Sequence, residues 1–107
     1  MKVATVALLS AATATGAGQS HEPNGNGKRT FQATGLTGSG AGSTSVDIEV
    51  SNDGVTYIVM GTISLTLSTT ETTDGFASDA TWRYVRANIK SISGTGASVT
   101  VTMGNSL

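Results

Sequence analysis

Residues 45–60 read SVDIEVSNDGVTYIVM, and this stretch decides the fold class. Residues 51–54, SNDG, are a strong turn signal, and the residues that follow them are again mostly apolar. An alternating strand, such a turn and an apolar return strand over residues 55–60 together predict an antiparallel β-hairpin with one buried face. The alternation is clearest before the turn, in the order Val46, Asp47, Ile48, Glu49 and Val50.

Further strands are predicted on both sides of this hairpin. Residues 62–68 alternate apolar and hydroxyl side chains, and residues 69–81 form a polar connection anchored by Phe76. No stretch of helical length has a sustained helical apolar period with caps. We therefore predict an all-β fold, an antiparallel β-sandwich or jelly roll of about six to eight short strands. The remaining predicted strands are 29–34, 82–92 and 98–103.

Residues 1–20 combine one lysine, a short apolar run and small residues. This pattern has features of a secretion signal, but its positive end is weak and Thr5, Ser10 and Thr13 dilute the apolar run. The run is also shorter than the roughly 20 apolar residues of a membrane-spanning helix. We expect an extended N-terminal arm or strand over residues 1–20, followed by a single β-sandwich domain over residues 21–107.

The composition is polar but almost uncharged. Serine, threonine and glycine together supply 45 of the 107 residues, charged residues supply 12%, and the formal net charge is −1. Without a basic excess we expect no binding of nucleic acid by charge neutralisation. Since the chain has no cysteine, disulfides, thiolate zinc sites and cysteine nucleophiles are excluded. The apolar residues are ordered into alternating runs, which argues for a folded domain rather than a disordered linker.

No motif predicts chemistry. His21, the single histidine, lies in a glycine- and asparagine-rich segment beside Glu22, and we expect it to be a solvated loop residue. Three acids cluster in Glu71, Asp74 and Asp79 without the spacing of a calcium loop. We therefore predict no catalytic residue, no cofactor and no metal site, and we expect that the protein is not an enzyme.

The predicted strand that begins at Trp82 is rich in aromatic and basic side chains. Tryptophan, tyrosine and arginine are common anchors of interfaces, so this strand is a candidate recognition face. In the alternative interpretation, which we favour, Arg86 pairs with Asp47 or Glu49 across the sheet and Trp82 closes the end of the sandwich.

Two segments resemble the galactose-binding-like, discoidin-type jelly rolls. They are VDIEVSNDGVTYIVMG (46–61) and WRYVRANI (82–89), which look like the neighbouring "V-S-x-D-G" hairpin and "R-Y-V-R" strand of that family. The resemblance implies a jelly-roll sandwich. We carry no ligand residue over from it.

The whole chain also resembles small virion proteins of tailed bacteriophages. The similarity lies in TATGAG (13–18), KRTFQATG (28–35), TDGFASDATWRYVRANI (73–89) and SGTGASVTVTMG (93–104). It implies a non-enzymatic structural subunit of the virion, a capsid decoration or cement protein that stabilises the head. The alternatives are a carbohydrate- or receptor-binding module and an accessory subunit of the phage tail, baseplate or head fibre.

This resemblance sets the expected partners and location. We expect contacts with the major capsid protein or other virion subunits, a homo-oligomer, no membrane partner, and a place on the capsid surface rather than the tail. An apolar arm is ordered only where a partner or the domain buries it, because ordering costs conformational entropy. The candidate partner-contact residues are Val3, Val6, Leu8, Leu9, Trp82 and Tyr84.

Overall fold

The computed structural model of the chain describes residues 3–23 and 28–106, with the backbone alone for residues 3, 4 and 106. All strand pairs in this part of the chain are antiparallel. The prediction of an all-β fold is therefore confirmed. The strands are β1 (Val3–Ala12), β2 (Gly16–Ala17), β3 (Arg29–Leu36), β4 (Ser39–Ser51), β5 (Ile58–Leu67), β6 (Thr72–Ser78), β7 (Tyr84–Thr95) and β8 (Ser98–Ser106).

The strands form two four-stranded sheets. Sheet I has the order β1-β8-β3-β6, and sheet II has the order β2-β7-β4-β5. The first strand thus pairs with the last, the second with the seventh, the third with the sixth and the fourth with the fifth. This nested pairing is the strand order of an eight-stranded jelly roll. Residues 3–12 of the expected N-terminal arm form the edge strand of sheet I.

The core lies between the sheets and follows from the period of two. Val46, Ile48 and Val50 of β4 are each at most 1% exposed, as their alternation predicts. Burial of such aliphatic side chains is the main favourable contribution to folding. From sheet I, the side chains that complete the core include Leu8, Phe31, Ala33, Val99, Val101 and Met103.

Strand β6 lies in the segment that the sequence predicts to be a connection. Its inward side contributes one large side chain, Phe76, whose ring lies 5.2 Å from that of Phe31 between centroids. Phe76 also packs over Gly61 of β5, where an added Cβ would lie 2.6 Å from the Phe76 ring. Glycine at position 61 therefore makes room for the ring that joins the two sheets at this edge.

The turn of the central hairpin is longer than predicted. Strand β5 begins at Ile58, opposite Val50, so residues 52–57 form the connection and Val55 is not in a strand. The register of β4 and β5 shifts between Ile48 and Glu49. This shift is a β-bulge at Met60, between Val59 and Gly61.

Candidate interaction surfaces

Three segments, 18–23, 52–57 and 79–83, meet at one end of the sandwich, which we call the loop end. The bonds between them join residues far apart in sequence. They are the backbone hydrogen bonds of His21 with Val85 (2.8 and 2.9 Å), an ion pair of Arg83 Nε with Glu22 Oε2 (3.8 Å), and a hydrogen bond between the hydroxyls of Ser20 and Tyr57.

The carboxylate of Asp53 organises the connection between β4 and β5. Its Oδ1 accepts hydrogen bonds from the backbone N–H groups of Val55 (2.8 Å) and Thr56 (2.9 Å) and from the Ser51 hydroxyl (2.7 Å). These bonds, led by the two from the backbone, lower the pKa of Asp53 to about 2. Gly54 has a φ of 75°, a conformation that glycine adopts without a steric cost.

A polar cluster covers the middle of the outer face of sheet II. Arg86 Nε donates to Glu49 Oε1 at 2.8 Å, and Asn88 Nδ2 donates to Glu49 Oε2 at 3.0 Å. The guanidinium carbon of Arg86 lies 3.8 Å from the centroid of the Tyr57 ring, and Lys90 Nζ lies 3.8 Å from Glu49 Oε2. Arg86 thus pairs with Glu49, one of the two partners that the sequence predicts.

The electrostatics of this cluster favour an ionised Glu49. Burial raises the pKa of its carboxyl group, but the hydrogen bonds from Arg86 and Asn88 and the positive charges of Arg86 and Lys90 outweigh burial, so the pKa is lowered. Glu49 of β4 is thus neutralised by Arg86 and Lys90 of β7, and these contacts hold strand β7 against β4.

A group of exposed apolar side chains, the apolar edge patch, lies where the loop end meets β5. It consists of Val55, Ile58 and Val59, which are 83%, 52% and 51% exposed. They are the exposed large hydrophobic residues of the described part of the chain. Ile58 pairs with Val50, which points into the core, and Val59 pairs with Glu49 on the outer face, so the two side chains lie on opposite sides of the strand edge. Isolated apolar residues are normal on protein surfaces, whereas several at one strand edge favour an interaction site.

The outer face of sheet I has a different character. In the strand register, the described side chains of this face are mainly threonine, alanine, glutamine and glycine, with one leucine and one serine and no charged group. Some of its hydroxyls are bonded within the face: Gln32 Nε2 donates to Thr73 Oγ1 (3.1 Å), and Thr34 Oγ1 also donates to it (3.1 Å). The described part of the face consists of Thr5, Ala7, Thr30, Gln32, Thr34, Leu36, Thr73, Gly75, Ala77, Ser98, Thr100, Thr102 and Gly104.

The predicted contact residues of the N-terminal strand differ in how far they are buried. Leu8 is 3% exposed and belongs to the core, so its side chain is not on the surface. Val6 and Leu9 are partly buried and pack against the core, and the side chain of Val3 lies outside what the structure describes. Partner contacts at Val6 and Leu9 stay predictions.

Trp82 and Tyr84 lie at the loop end, and intramolecular contacts cover part of both. Trp82 is partly buried and packs against the core. The Tyr84 ring packs against Gly54, and the guanidinium carbon of Arg83 lies 5.2 Å from its centroid. Both aromatic side chains thus help to close this end of the sandwich.

The apolar edge patch is the surface that the sequence interpretation missed. Its signal is present in residues 57–60, YIVM, four consecutive large side chains. Successive side chains of a strand point to opposite faces, so an unbroken run leaves some of them outside the core. The hairpin pattern predicts this run as a buried return strand, whereas Ile58 and Val59 are half exposed.

The described residues contain no group of three or more His, Cys, Asp or Glu side chains that could hold a metal ion. No pocket forms among them, and no helix in this part of the chain is long and apolar enough to cross a membrane. No protein-family model, curated protein or solved structure matches the chain.

Proposed function

We propose that this chain is a non-enzymatic structural subunit of a tailed-phage virion, a decoration or cement protein that binds the capsid surface through the outer face of sheet I. Its partner would be the major capsid protein or a neighbouring virion subunit. The similarity to small virion proteins supports this proposal. Jelly rolls also occur in viral capsid and lectin domains, although such support is analogy at the level of the fold.

The observation that carries the proposal is the uncharged outer face of sheet I. A partner that covers a lysine or glutamate must remove its hydration, which is costly unless the charge is paired. Threonine and alanine cost much less, and hydroxyls such as Thr73 already have partners within the sheet. A broad face of this kind can be covered by another subunit with little electrostatic penalty.

The N-terminal strand belongs to the same surface. Thr5 and Ala7 of β1 pair with Gly104 and Thr102 of β8 and extend the face to the edge of the sheet. The apolar N-terminal segment would thus contribute to attachment as part of a sheet and not as a loose arm. Deleting residues 1–15 would also remove Leu8 from the core, so point substitutions are the better probe.

The test is occupancy of phage heads that lack the protein, measured by quantitative mass spectrometry after purified protein is added. The wild type should bind in many copies per head. Gln32→Lys, which puts a charge at the centre of the outer face of sheet I, should lower occupancy about tenfold. The control is Ser93→Lys, an exposed position on the outer face of sheet II. Equal occupancy for Gln32→Lys and wild type would refute this face as the docking surface.

A second candidate function is a carbohydrate- or receptor-binding module of a tail, baseplate or head fibre. The observation that favours it is the gathering of Tyr57, Trp82 and Tyr84 at the loop end, since such modules use aromatic side chains beside polar neighbours. A glycan array with Trp82→Ala and Tyr84→Ala variants, each first verified as folded by circular dichroism, would test it. Binding that survives both changes would remove this site, and a few copies located at the tail instead of many on the shell would favour this module.

A further inference from the structure

We propose that a second copy of this chain docks across the free edge of strand β5, with Val55, Ile58 and Val59 at the centre of a two-fold interface. In this arrangement the first residues of β5 in one copy pair antiparallel with the same residues of the other. Sheet II then continues across the axis. This inference does not depend on the proposed function, because it concerns the isolated protein.

The first support is that the apolar edge patch is fixed as well as exposed. The Asp53 carboxylate holds the N–H groups of Val55 and Thr56, and Tyr57 is held between Arg86 and the hydroxyl of Ser20. A segment that is already ordered loses little conformational entropy when it binds. Apolar side chains held in place before association are therefore suited to the centre of an interface.

The second support is the nature of the edge. Strand β5 is an outer strand of sheet II, so one side of its backbone faces away from β4. Proteins commonly blunt such edges with charged residues or proline, and β5 has neither between Ile58 and Leu67. The bulge at Met60, which has no partner between Val59 and Gly61, protects this edge and leaves Ile58 and Val59 as the regularly paired residues before it.

The absence of charge on β5 favours another copy as the partner. In a two-fold pairing each residue meets its own counterpart or a near neighbour, so a charge on the strand would face an identical charge. Strand β5 carries no charge, and Glu49 and Arg86 beside it are paired with each other. The Asp53 carboxylate is bound to two backbone N–H groups of its own turn. The edge strand β6 would instead bring Asp74 toward its own copy.

The edge strand β1 is also uncharged, but it does not carry the same exposed apolar surface. Its register shifts twice between Ala7 and Ala12, which interrupts the edge. Val6 and Leu9 are partly buried against the core, and Leu8 is within it. A free strand edge and exposed apolar side chains thus occur together at β5.

The interface would be small. Two paired residues and Val55 fall in the class of contacts that bury less than about 1,200 Å², which are typically weak. We expect a dissociation constant in the micromolar range for isolated copies. Many copies bound to one surface would associate more strongly, because attachment raises their effective concentration.

The first test uses disulfide trapping, for which the absence of native cysteine is an advantage. Opposed residues in an antiparallel pair have Cα atoms about 4.5–5.5 Å apart, which a disulfide can span. Among Ile58→Cys, Val59→Cys and Met60→Cys, we expect at least one to form covalent dimers in a glutathione buffer. The control is Ala77→Cys, an exposed position on edge strand β6. Yields no higher than that of Ala77→Cys in all three variants would overturn the proposal.

The second test is sedimentation equilibrium of the wild type and Val59→Lys. The substitution puts like charges near each other in the dimer, and we expect the dissociation constant to rise about tenfold or more. Val59 is half exposed in the single chain, so the variant should fold, and Ala77→Lys should dimerise like the wild type. A wild type that stays monomeric at about 1 mM, or an unchanged dimer in Val59→Lys, would refute the interface.

Discussion

The outer faces of the two sheets differ although their inner faces are built alike. Both sheets send alternate apolar side chains into one core. Outside, sheet II carries a cluster of Asp47, Glu49, Arg86 and Lys90, whereas sheet I carries only neutral side chains. The difference shows that the period of two assigns a residue to the inside or the outside and leaves the chemistry of each outside face open.

The charged side chains on the outer face of sheet II have their hydrogen-bond and ion-pair partners within that face, and this gives the face a structural role. Glu49 is 7% exposed as a side chain, with Arg86, Asn88 and Lys90 around its oxygens. Asp47 accepts a hydrogen bond from the Thr62 hydroxyl at 2.7 Å. The neutral face has no comparable network of ions among the described residues, and its hydroxyls bond to one another instead. Four measurements test this contrast.

The largest expected effect concerns the equivalence of the inner faces. Leu8 of edge strand β1 and Leu65 of edge strand β5 are 3% and 5% exposed. Replacement of either by alanine removes buried methyl groups and leaves a cavity, and each should lower the free energy of unfolding by about 2–5 kcal/mol. Urea denaturation would measure both. A small loss for Leu8→Ala beside a large loss for Leu65→Ala would show that β1 is peripheral to the core.

The next effect concerns the charged cluster. Glu49→Ala leaves Arg86 without its carboxylate and should destabilise the fold by about 1–3 kcal/mol. The control is Glu22→Ala, because the ion pair of Glu22 with Arg83 has both side chains more than half exposed. Such exposed pairs contribute at most about 1 kcal/mol. Equal losses of unfolding free energy in the two variants, measured by the same urea denaturation, would refute a structural role for the cluster.

A third measurement follows the acid dependence of the charged side of the molecule. The folded-state pKa of Asp53, about 2, lies below its ordinary value of 3.8. Its carboxylate therefore contributes stability that is fully present above about pH 4 and is lost as the pH falls toward 2. Asp53→Asn should flatten this part of the curve of melting temperature against pH. Asp79→Asn, a change in the exposed loop before β7, serves as the control, and identical curves for both variants would contradict the turn network.

The smallest expected effect is on the neutral face. Gln32→Lys and Ser93→Lys should each change the free energy of unfolding by no more than about 0.5 kcal/mol, because both positions are exposed. Stability would thus not distinguish the two outer faces, whereas head occupancy would. A loss of several kcal/mol in Gln32→Lys would mean that the face matters for folding and would weaken the argument that it is kept neutral for a partner.

The sequence interpretation succeeded where alternation was continuous and buried. Strand β4 and the inward residues of β7 and β8 follow it closely, as Val85, Ala87, Ile89, Val99 and Val101 show. It failed for β6, whose inward side holds one large apolar residue, Phe76, among polar neighbours. An edge strand that covers only a corner of the core needs no apolar alternation, so its sequence looks like a loop.

For the candidate surfaces, prediction was partial. The pairing of Arg86 with Glu49 was one of two predicted alternatives, and the register of β4 and β7 decides between them. The exposure of Val59 was not predicted, because it depends on where the turn ends. Asp53 binds the N–H groups of Val55 and Thr56 and thereby delays the return strand to Ile58.

The sequence by itself determined that this chain folds as an antiparallel sandwich with a hydroxyl-rich, sparsely charged exterior, because side-chain alternation is a local property of a strand. Only the tertiary structure decided that residues 3–12 close sheet I beside β8, and that Glu49, Arg86 and Lys90 meet on the outer face of sheet II. It also placed Val55, Ile58 and Val59 together at a free edge. These features depend on contacts between residues far apart in the chain, which no local pattern encodes.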